Sequence, residues 1–273
     1  MNDGPLGILA GGGALPRRLI DACRQAARPC FVVALEGQAD VATVEGVPHG
    51  WAALGAAGRV FELLRGAGVR EIVLAGAVRR PSLLALKPDV KGAQLLARIG
   101  LRALGDDGLL RAVIEELERE GFRVVGVQDV LGSLPAPAGQ LGRIAPGTEA
   151  RADIARGVAV ARALGAVDVG QAVVVQQGIV LGVEAVEGTD ALLMRVGGLR
   201  REGPGGVLVK LAKPAQDRRV DLPTVGVATV EQAAAAGLVG IAVEAGATLV
   251  LDLAGMVAAA DAAGLFLEGL DLG

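Results

Sequence analysis

A segment of mixed charge in the carboxyl-terminal half of the chain carries the side chains best suited to chemistry. Residues 210–224 interleave four cations with two carboxylates and follow neither a helical nor a strand period. Lys and Arg bind phosphate oxygens, whereas Asp binds hard cations such as Mg²⁺. We therefore predict a site for a polyanion and a divalent cation, the alternative being a solvated loop with weak exposed ion pairs. The charged residues are Lys210, Lys213, Asp217, Arg218, Arg219 and Asp221.

A second polar cluster precedes this segment. Glu184, Glu187, Thr189 and Asp190 place three acids and a hydroxyl between the end of a predicted strand and the start of a predicted helix. Such side chains can bind a metal ion or a substrate, but Thr or Asp at this position also serves as an ordinary helix cap. The residue types alone leave both interpretations open.

A glycine-rich turn near the amino terminus is a candidate phosphate site. Gly11, Gly12 and Gly13 follow a predicted strand and precede a predicted helix, where unobstructed backbone amides can face an anion. A tight turn that needs glycine for steric reasons explains them equally well. The dinucleotide-binding fingerprint is half met, because Pro16 replaces its third glycine while Glu36 can reach a ribose. A nicotinamide-dependent oxidoreductase is therefore a rival function.

Two pairs of adjacent, like-charged residues lie at the ends of predicted strands or helices. Arg79 and Arg80 follow a predicted strand, at an edge where the ligands of α/β sheets collect, and can grip phosphate. A solvated surface pair is the alternative. Asp106 and Asp107 lie at a predicted helix start, where acidic residues commonly act as caps.

Composition argues against several classes of function. The net charge is −3, and the aromatic residues are four Phe and one Trp, so nucleic acid is not an expected partner. One histidine, His49, and two cysteines, Cys23 and Cys30, argue against a zinc site, disulfide chemistry and a Ser/His or Cys/His catalytic pair. No run of 18 apolar residues occurs and the amino terminus lacks signal-peptide features, so we expect a cytoplasmic location.

Apolar strands alternate with helices along the first half of the chain. Strands are predicted at 7–10, 30–35 and 71–75, and helices at 14–27 and 56–67. Continuous apolar strands separated by helices indicate a parallel sheet covered on both faces. The pattern predicts an α/β fold that begins with a Rossmann-like domain.

A second α/β domain is predicted to follow. The Pro- and Gly-rich residues 131–147 are interpreted as a linker between a domain at 1–130 and another at 148–273. A strand is predicted at 122–127, and Thr229 is predicted to cap a helix that follows it. Strands of the second domain are predicted at 172–176, 179–183, 207–211, 240–243, 248–251 and 265–268.

Four motifs occur in a specific order and span nearly the whole chain. They are Gly7–Pro16, Gly105–Asp107, Glu187–Ala191 and Lys213–Gly226. Each is weak alone, but the ordered set resembles the LpxI family, the UDP-2,3-diacylglucosamine pyrophosphatases of lipid A synthesis. The resemblance implies a Rossmann-like amino-terminal domain, a carboxyl-terminal domain particular to the family, and lipid held between the two.

The resemblance also implies a reaction. The pyrophosphate of UDP-2,3-diacylglucosamine would be hydrolysed to UMP and 2,3-diacylglucosamine 1-phosphate (lipid X), by water attack on the α phosphorus with Mg²⁺ or another divalent cation such as Mn²⁺. Because the substrate carries two acyl chains, we expect peripheral contact with the inner face of the inner membrane. A homodimer is also expected. A non-enzymatic carrier of lipid or nucleotide is a further alternative.

The resemblance assigns a role to one residue, and the chemistry of the surrounding side chains suggests roles for others. The family's key aspartate maps onto Asp221, as a metal ligand or as the base. Asp217, Lys213 and Arg219 are expected to act with it in catalysis, and Asp190 and Glu187 to join Asp221 as metal ligands. The residues expected to bind substrate are Gly11, Gly12, Gly13, Arg79, Gly188, Thr189, Gln216 and Thr224.

Overall fold

The structure, a computed structural model, contains two compact units. They are Met1–Gly132 and Ser133–Gly273. Each unit contains a sheet and helices. The residues that the structure describes are 4–78, 86, 88–99, 106–132, 135–214 and 222–273.

The first unit contains a five-stranded parallel sheet. Its strands are β1 Leu6–Ala10, β2 Cys30–Leu35, β3 His49–Ala52, β4 Glu71–Ala75 and β5 Arg123–Val124. The strand order is β3-β2-β1-β4-β5, and every pairing is parallel. The chain therefore winds outward from β1 in one direction and then in the other, which places a topological switch point beside β1. The predicted Rossmann-like sheet is confirmed.

Helices connect these strands. They are α1 Leu15–Gln25, α2 Ala57–Gly66, α3 Val90–Ile99, α4 Asp106–Arg119 and α5 Val127–Leu131. The prediction of a strand over 122–127 is wrong in its second half, where α5 begins. The Gly126 amide donates to the Asp129 carboxylate at 2.9 Å, and this contact caps the helix and ends the extended segment.

The second unit contains a mixed six-stranded sheet and a two-stranded sheet. The strands are β6 Gly139–Gln140, β7 Ala172–Gln176, β8 Ile179–Val183, β9 Val207–Lys210, β10 Thr224–Gly226, β11 Gly240–Glu244, β12 Leu249–Leu251 and β13 Phe266–Leu270. The large sheet has the order β6-β13-β11-β9-β7-β8, and β10 pairs with β12. Strands β9, β11 and β13 are parallel, whereas β7 runs antiparallel to both of its neighbours. Strand β6 lies within the predicted linker and pairs antiparallel with β13.

Helices bury both faces of the six-stranded sheet. They are α6 Thr148–Ala166, α7 Gly188–Val196, α8 Val227–Ala235 and α9 Leu253–Ala263. Along β9, Leu208 belongs to a core that also contains residues of α7, α8 and α9, whereas Val207 and Val209 belong to a core that contains residues of α6. Burial on both faces explains why these strands are apolar at successive positions. The prediction of a second α/β domain is confirmed.

One helix start in this unit differs from the prediction. Thr229 was predicted to precede α8, but α8 begins at Val227 and Thr229 lies in its first turn. The Thr229 hydroxyl accepts a hydrogen bond from the Gly226 amide at 3.3 Å, so it satisfies a backbone donor from inside the helix.

None of the helices in the described ranges is both long and apolar enough to cross a membrane.

Candidate active site

A buried lysine lies at the carboxyl edge of the six-stranded sheet. Residues 207–209 are fully buried and apolar, and Lys210 ends β9 with only 6% of its surface exposed. In register, Lys210 lies beside Val243 of β11 and Ala172 of β7. The carboxyl edge of parallel strands is where α/β proteins bind their ligands. The one charged residue of this otherwise apolar strand therefore lies at the position where a ligand is expected.

The Lys210 ammonium joins two segments that are far apart in sequence. It donates to the Thr189 hydroxyl at 2.9 Å and to the Thr224 backbone carbonyl at 3.0 Å. Thr189 lies in the first turn of α7, and Thr224 begins β10. Two of the predicted substrate-binding residues are thus brought together by a cation that was not among the predicted site residues.

A buried carboxylate is linked to this cation through the Thr189 hydroxyl. Glu184, directly after β8, is 6% exposed and accepts hydrogen bonds from the Thr189 hydroxyl at 2.7 Å and the Gln171 amide at 3.1 Å. A Cβ at Gly170 would lie 2.0 Å from the Glu184 carbonyl oxygen, so only glycine permits this close approach. Thr189 links the two charged groups, because its hydroxyl donates to Glu184 and accepts from Lys210.

This buried chain of Glu184, Thr189 and Lys210 requires all its members. Removing an ion from water costs several kcal/mol, and hydrogen bonds with an opposite charge nearby must offset that cost. Helix α7 begins at the same place, and its amino-terminal amides carry a partial positive charge. The edge therefore combines a desolvated ammonium with a helix dipole, an arrangement that favours an anionic ligand.

Further ionic contacts continue the edge beyond β9. The Lys213 ammonium lies 2.7 Å from an Asp168 oxygen, and the Lys213 side chain is 11% exposed. The Glu244 carboxylate, at the end of β11, accepts a hydrogen bond from the Ala212 amide at 3.0 Å. The chain at residues 212 and 213, just before the predicted catalytic residues, is therefore held by contacts with Glu244 and Asp168.

Glu187, Gly188 and Asp190, at the start of α7, differ in their surroundings. Glu187 lies 2.8 Å from Arg195, and its pKa is lowered by a hydrogen bond from its own backbone amide and then by Arg195. Gly188 has φ of +80°, a conformation that favours glycine. Asp190 is exposed, in the first turn of the helix.

The described residues do not by themselves form a metal site. In the parts of the chain with described positions, no group of three or more His, Cys, Asp or Glu side chains could hold an ion. Both Glu184 oxygens already accept hydrogen bonds, and Glu187 is paired with Arg195. Of the predicted ligands, Asp190 and Glu187 are described, whereas Asp221 is not.

Several predicted site residues lie outside the described residues. They are Arg79, Gln216, Asp217, Arg219 and Asp221. Their roles stay predictions.

The glycine turn of the first unit is held by backbone hydrogen bonds. The Gly11 amide donates to the Ala75 carbonyl and the Gly12 amide to the Ala77 carbonyl, each at 2.8 Å. A Cβ at Gly11 would lie 2.5 Å from the Ala77 oxygen, and Gly13 has φ of +87°. These contacts favour the steric explanation for Gly11 and Gly12, because both amides already have acceptors.

Sequence reasoning omitted the two buried charges from the predicted site. Lys210 was noted among the cations of its segment, and Glu184 among the acids of its cluster. A usable signal was present, since Glu184 directly follows an apolar strand and Lys210 is the one charged residue at the end of another. A charged residue at the end of a buried strand must find a partner at the sheet edge.

The fold and the site define a class: a two-unit α/β protein with a buried cationic site, suited to an anionic ligand, at a sheet edge of its second unit. Comparison with known proteins is more specific. Residues 5–134 match the LpxI N-terminal domain and residues 137–268 match the LpxI C-terminal domain. The chain is 46% identical over 273 residues to a Caulobacter vibrioides protein named UDP-2,3-diacylglucosamine pyrophosphatase LpxI, with 97% of each chain covered. This chain belongs to the LpxI family.

Proposed function

We propose that this chain hydrolyses the pyrophosphate bond of UDP-2,3-diacylglucosamine to UMP and 2,3-diacylglucosamine 1-phosphate, in lipid A biosynthesis. The observation that carries the proposal is the 46% identity, over 97% of both chains, to a relative that bears the name of this activity. Matches to both family domains in their expected order support it. The buried cation at the sheet edge is consistent with a substrate whose polar part is a diphosphate.

The chemistry is an exchange of bonds at one phosphorus. A water oxygen bonds to the α phosphorus, and the bond from that phosphorus to the bridging oxygen breaks, so that the bridging oxygen leaves with the lipid phosphate. We propose that Asp221 takes the proton of the attacking water and that Asp217 assists it. Lys213 and Arg219 stabilise the negative charge that develops on the phosphoryl oxygens.

The buried chain of Glu184, Thr189 and Lys210 supports this assignment by its position. The Lys210 ammonium donates a hydrogen bond to the Thr224 carbonyl, and Thr224 lies three residues after Asp221 in the sequence. We propose that this hydrogen bond fixes the backbone at the end of the segment that contains Asp217, Arg219 and Asp221. Gly188, Thr189, Gln216 and Thr224 then contact the diphosphate and its sugar.

Substrate contacts in the first unit complete the proposal. We propose that Arg79 and the turn at Gly11, Gly12 and Gly13 bind the nucleotide part. Because the Gly11 and Gly12 amides donate to backbone carbonyls, their contribution is to shape the turn and let a ligand approach its backbone closely.

The proposal includes a divalent cation, Mg²⁺ or Mn²⁺. When bound by Asp221 with Asp190 or Glu187, it supplies charge neutralisation of the diphosphate. The described carboxylates do not themselves form an ion site. Chelation followed by a return of Mg²⁺ tests this part, and full turnover in the presence of a chelator contradicts it.

The chemistry of the substrate suggests where the protein acts. A lipid with two acyl chains resides in a bilayer, so we propose that the protein acts in the cytoplasm, in peripheral contact with the inner face of the inner membrane. We also propose a homodimer. Flotation with liposomes that contain the substrate tests the first proposal, and sedimentation equilibrium tests the second.

The central experiment is a turnover assay. UDP-2,3-diacylglucosamine and Mg²⁺ are incubated with the wild type, with Asp221→Ala and with Asp271→Ala, an exposed aspartate near the carboxyl terminus that serves as the control. We expect UMP release by the wild type and the control, and substrate binding without release by Asp221→Ala. Native turnover by Asp221→Ala contradicts the site assignment. Binding of intact substrate without UMP release by the wild type indicates a carrier and overturns the proposed function.

A further inference from the structure

The turn between α6 and β7 holds an aspartate in a backbone conformation that favours glycine. Asp168 has φ of +54°. Its amide donates to the Gly165 carbonyl at 3.2 Å, and the Val169 amide donates to the Leu164 carbonyl at 3.0 Å. These are the two hydrogen bonds of a Schellman motif, whose left-handed position is usually occupied by glycine and sometimes by asparagine. The backbone conformation alone therefore does not explain a carboxylate at this position.

The Asp168 carboxylate contacts the segment that follows β9. One of its oxygens lies 2.7 Å from the Lys213 ammonium, and the two residues are 45 positions apart in the sequence. The Lys213 side chain is 11% exposed and the Asp168 side chain 26% exposed. An ion pair that is largely shielded from water restricts an ammonium more than an exposed pair does. Asp168 therefore limits the positions that the Lys213 ammonium can take.

Backbone contacts hold the same two segments together. The Leu211 amide donates to the Gln171 carbonyl at 2.9 Å, which continues the pairing of β7 with β9. A Cβ at Gly165 would lie 3.2 Å from the Pro214 Cδ, so the end of α6 packs against the chain beside Lys213. The backbone on both sides of the ion pair is thus held in place.

We propose that Asp168 is a positioning residue for the reaction, which orients the Lys213 ammonium toward the phosphoryl oxygens. This role rests on the proposed function, in which Lys213 stabilises the charge that develops on those oxygens. An ammonium has three N–H donors, so one can bond to Asp168 while another bonds to the ligand. Asp168 thus acts through Lys213 and need not contact the substrate.

Asp168→Asn tests this role in the turnover assay. A group that stabilises the transition state more than the bound substrate affects kcat rather than KM. The substitution removes the charge that holds the ammonium, while asparagine suits the left-handed backbone. Because a misplacement of about 1 Å can lower a rate about 100-fold, we expect kcat for UMP release to fall by about that factor, with little change in KM.

Two further substitutions separate the carboxylate from the backbone. Asp168→Gly removes the carboxylate and supplies the residue that the turn favours most. Asp168→Glu keeps a carboxylate on a residue that fits the left-handed conformation poorly. We expect kcat to be low for the Asn and Gly variants and to recover in part for the Glu variant. The opposite order, with the Asn and Gly variants near the wild type and the Glu variant lowest, overturns the proposal.

A matched control and a double-mutant cycle sharpen the test. Asp261→Asn removes a carboxylate that lies 3.1 Å from Arg143 in the same unit, outside the proposed reaction, and should leave turnover unchanged. In a Lys213→Met background, adding Asp168→Asn should lower kcat no further, because the group through which it acts is already lost. An equal fall in both backgrounds overturns the proposal.

Failure of this role is distinguishable from failure of the proposed function. If the wild type releases no UMP, the proposed function is wrong and the role of Asp168 is wrong with it. If the wild type releases UMP and Asp168→Asn matches it, the proposed function stands and only the positioning role is wrong. Thermal unfolding of each variant checks that the second unit is folded.

Discussion

Different kinds of hydrogen bond hold the strand ends of the two units. At the end of β1, three glycines turn the chain, and the Gly11 and Gly12 amides bond to backbone carbonyls. At the end of β9, the chain buries Lys210, whose ammonium bonds to a hydroxyl and a carbonyl from distant segments. The first edge is held by backbone geometry and the second by side-chain charge. A change at the second edge should therefore cost more, because it leaves buried polar groups without their hydrogen-bond partners.

Lys210→Met tests the buried charge and should have the largest effect. Loss of the ammonium leaves the Thr189 hydroxyl and the Thr224 carbonyl without their donor at a buried site, so we expect the free energy of unfolding to fall by about 3 kcal/mol, together with loss of UMP release. Urea unfolding measures the first and the turnover assay the second. The double variant Lys210→Met/Glu184→Gln should recover part of the stability but not the turnover.

A control for this prediction is available on the surface of the first unit. Lys91 pairs with Glu120, and the Lys91 side chain is 46% exposed. Lys91→Met should therefore change the free energy of unfolding by only about 0.5 kcal/mol. Equal losses for Lys91→Met and Lys210→Met would contradict the contrast between buried and exposed charge.

Gly11→Ala tests the edge that is built from backbone. The added Cβ would lie 2.5 Å from the Ala77 carbonyl oxygen, so the turn must shift, and we expect a loss of about 2 kcal/mol in urea unfolding. Gly66→Ala is the matched control, because no atom lies within 4 Å of the added methyl group in that helix. It should be neutral or stabilising, and a loss like that of Gly11→Ala would argue against a steric cause.

Thr189→Val examines the link between the two buried charges. The substitution keeps the side chain's shape but removes the hydroxyl that donates to Glu184 and accepts from Lys210, for an expected loss of about 1.5 kcal/mol. Thr189→Ser keeps the hydroxyl and should restore most of the stability and turnover. If serine behaves like valine, packing of the methyl group is the important feature.

The smallest effect concerns the pH dependence of the ion pairs that Glu120 forms with the half-exposed side chains of Lys91 and Arg65. Hydrogen bonds from Lys91 and then Arg65 lower the pKa of Glu120 below its usual value. The carboxylate therefore stabilises the fold above its unfolded pKa, about 4.3, and this contribution disappears as the pH falls through the lower folded pKa. Glu120→Gln should be less stable than the wild type at pH 7 by about 0.5 kcal/mol, and the difference should vanish near pH 2. A difference that persists in acid would exclude an ionic origin.

Sequence reasoning succeeded where the signal is local. Strands β2, β4, β7 and β8 match their predicted bounds, since apolar runs with turn residues at their ends specify such strands. It failed where a side chain decides between two structures, as at Asp129, whose carboxylate caps α5 and shortens β5. Strands β3 and β10 were missed because short strands carry little pattern of their own.

Along the chain, apolar periodicity determined the α/β class and the ordered motifs determined the family, because both are read from residue types and their positions in the sequence. Only the tertiary structure decided which charges are buried. Glu184 follows β8, Thr189 lies in the first turn of α7 and Lys210 ends β9, and nothing in their spacing requires them to bond. They do so because the pairing of β7 with both β8 and β9 places the ends of those strands at one edge, where a buried charge is stable only beside its partner.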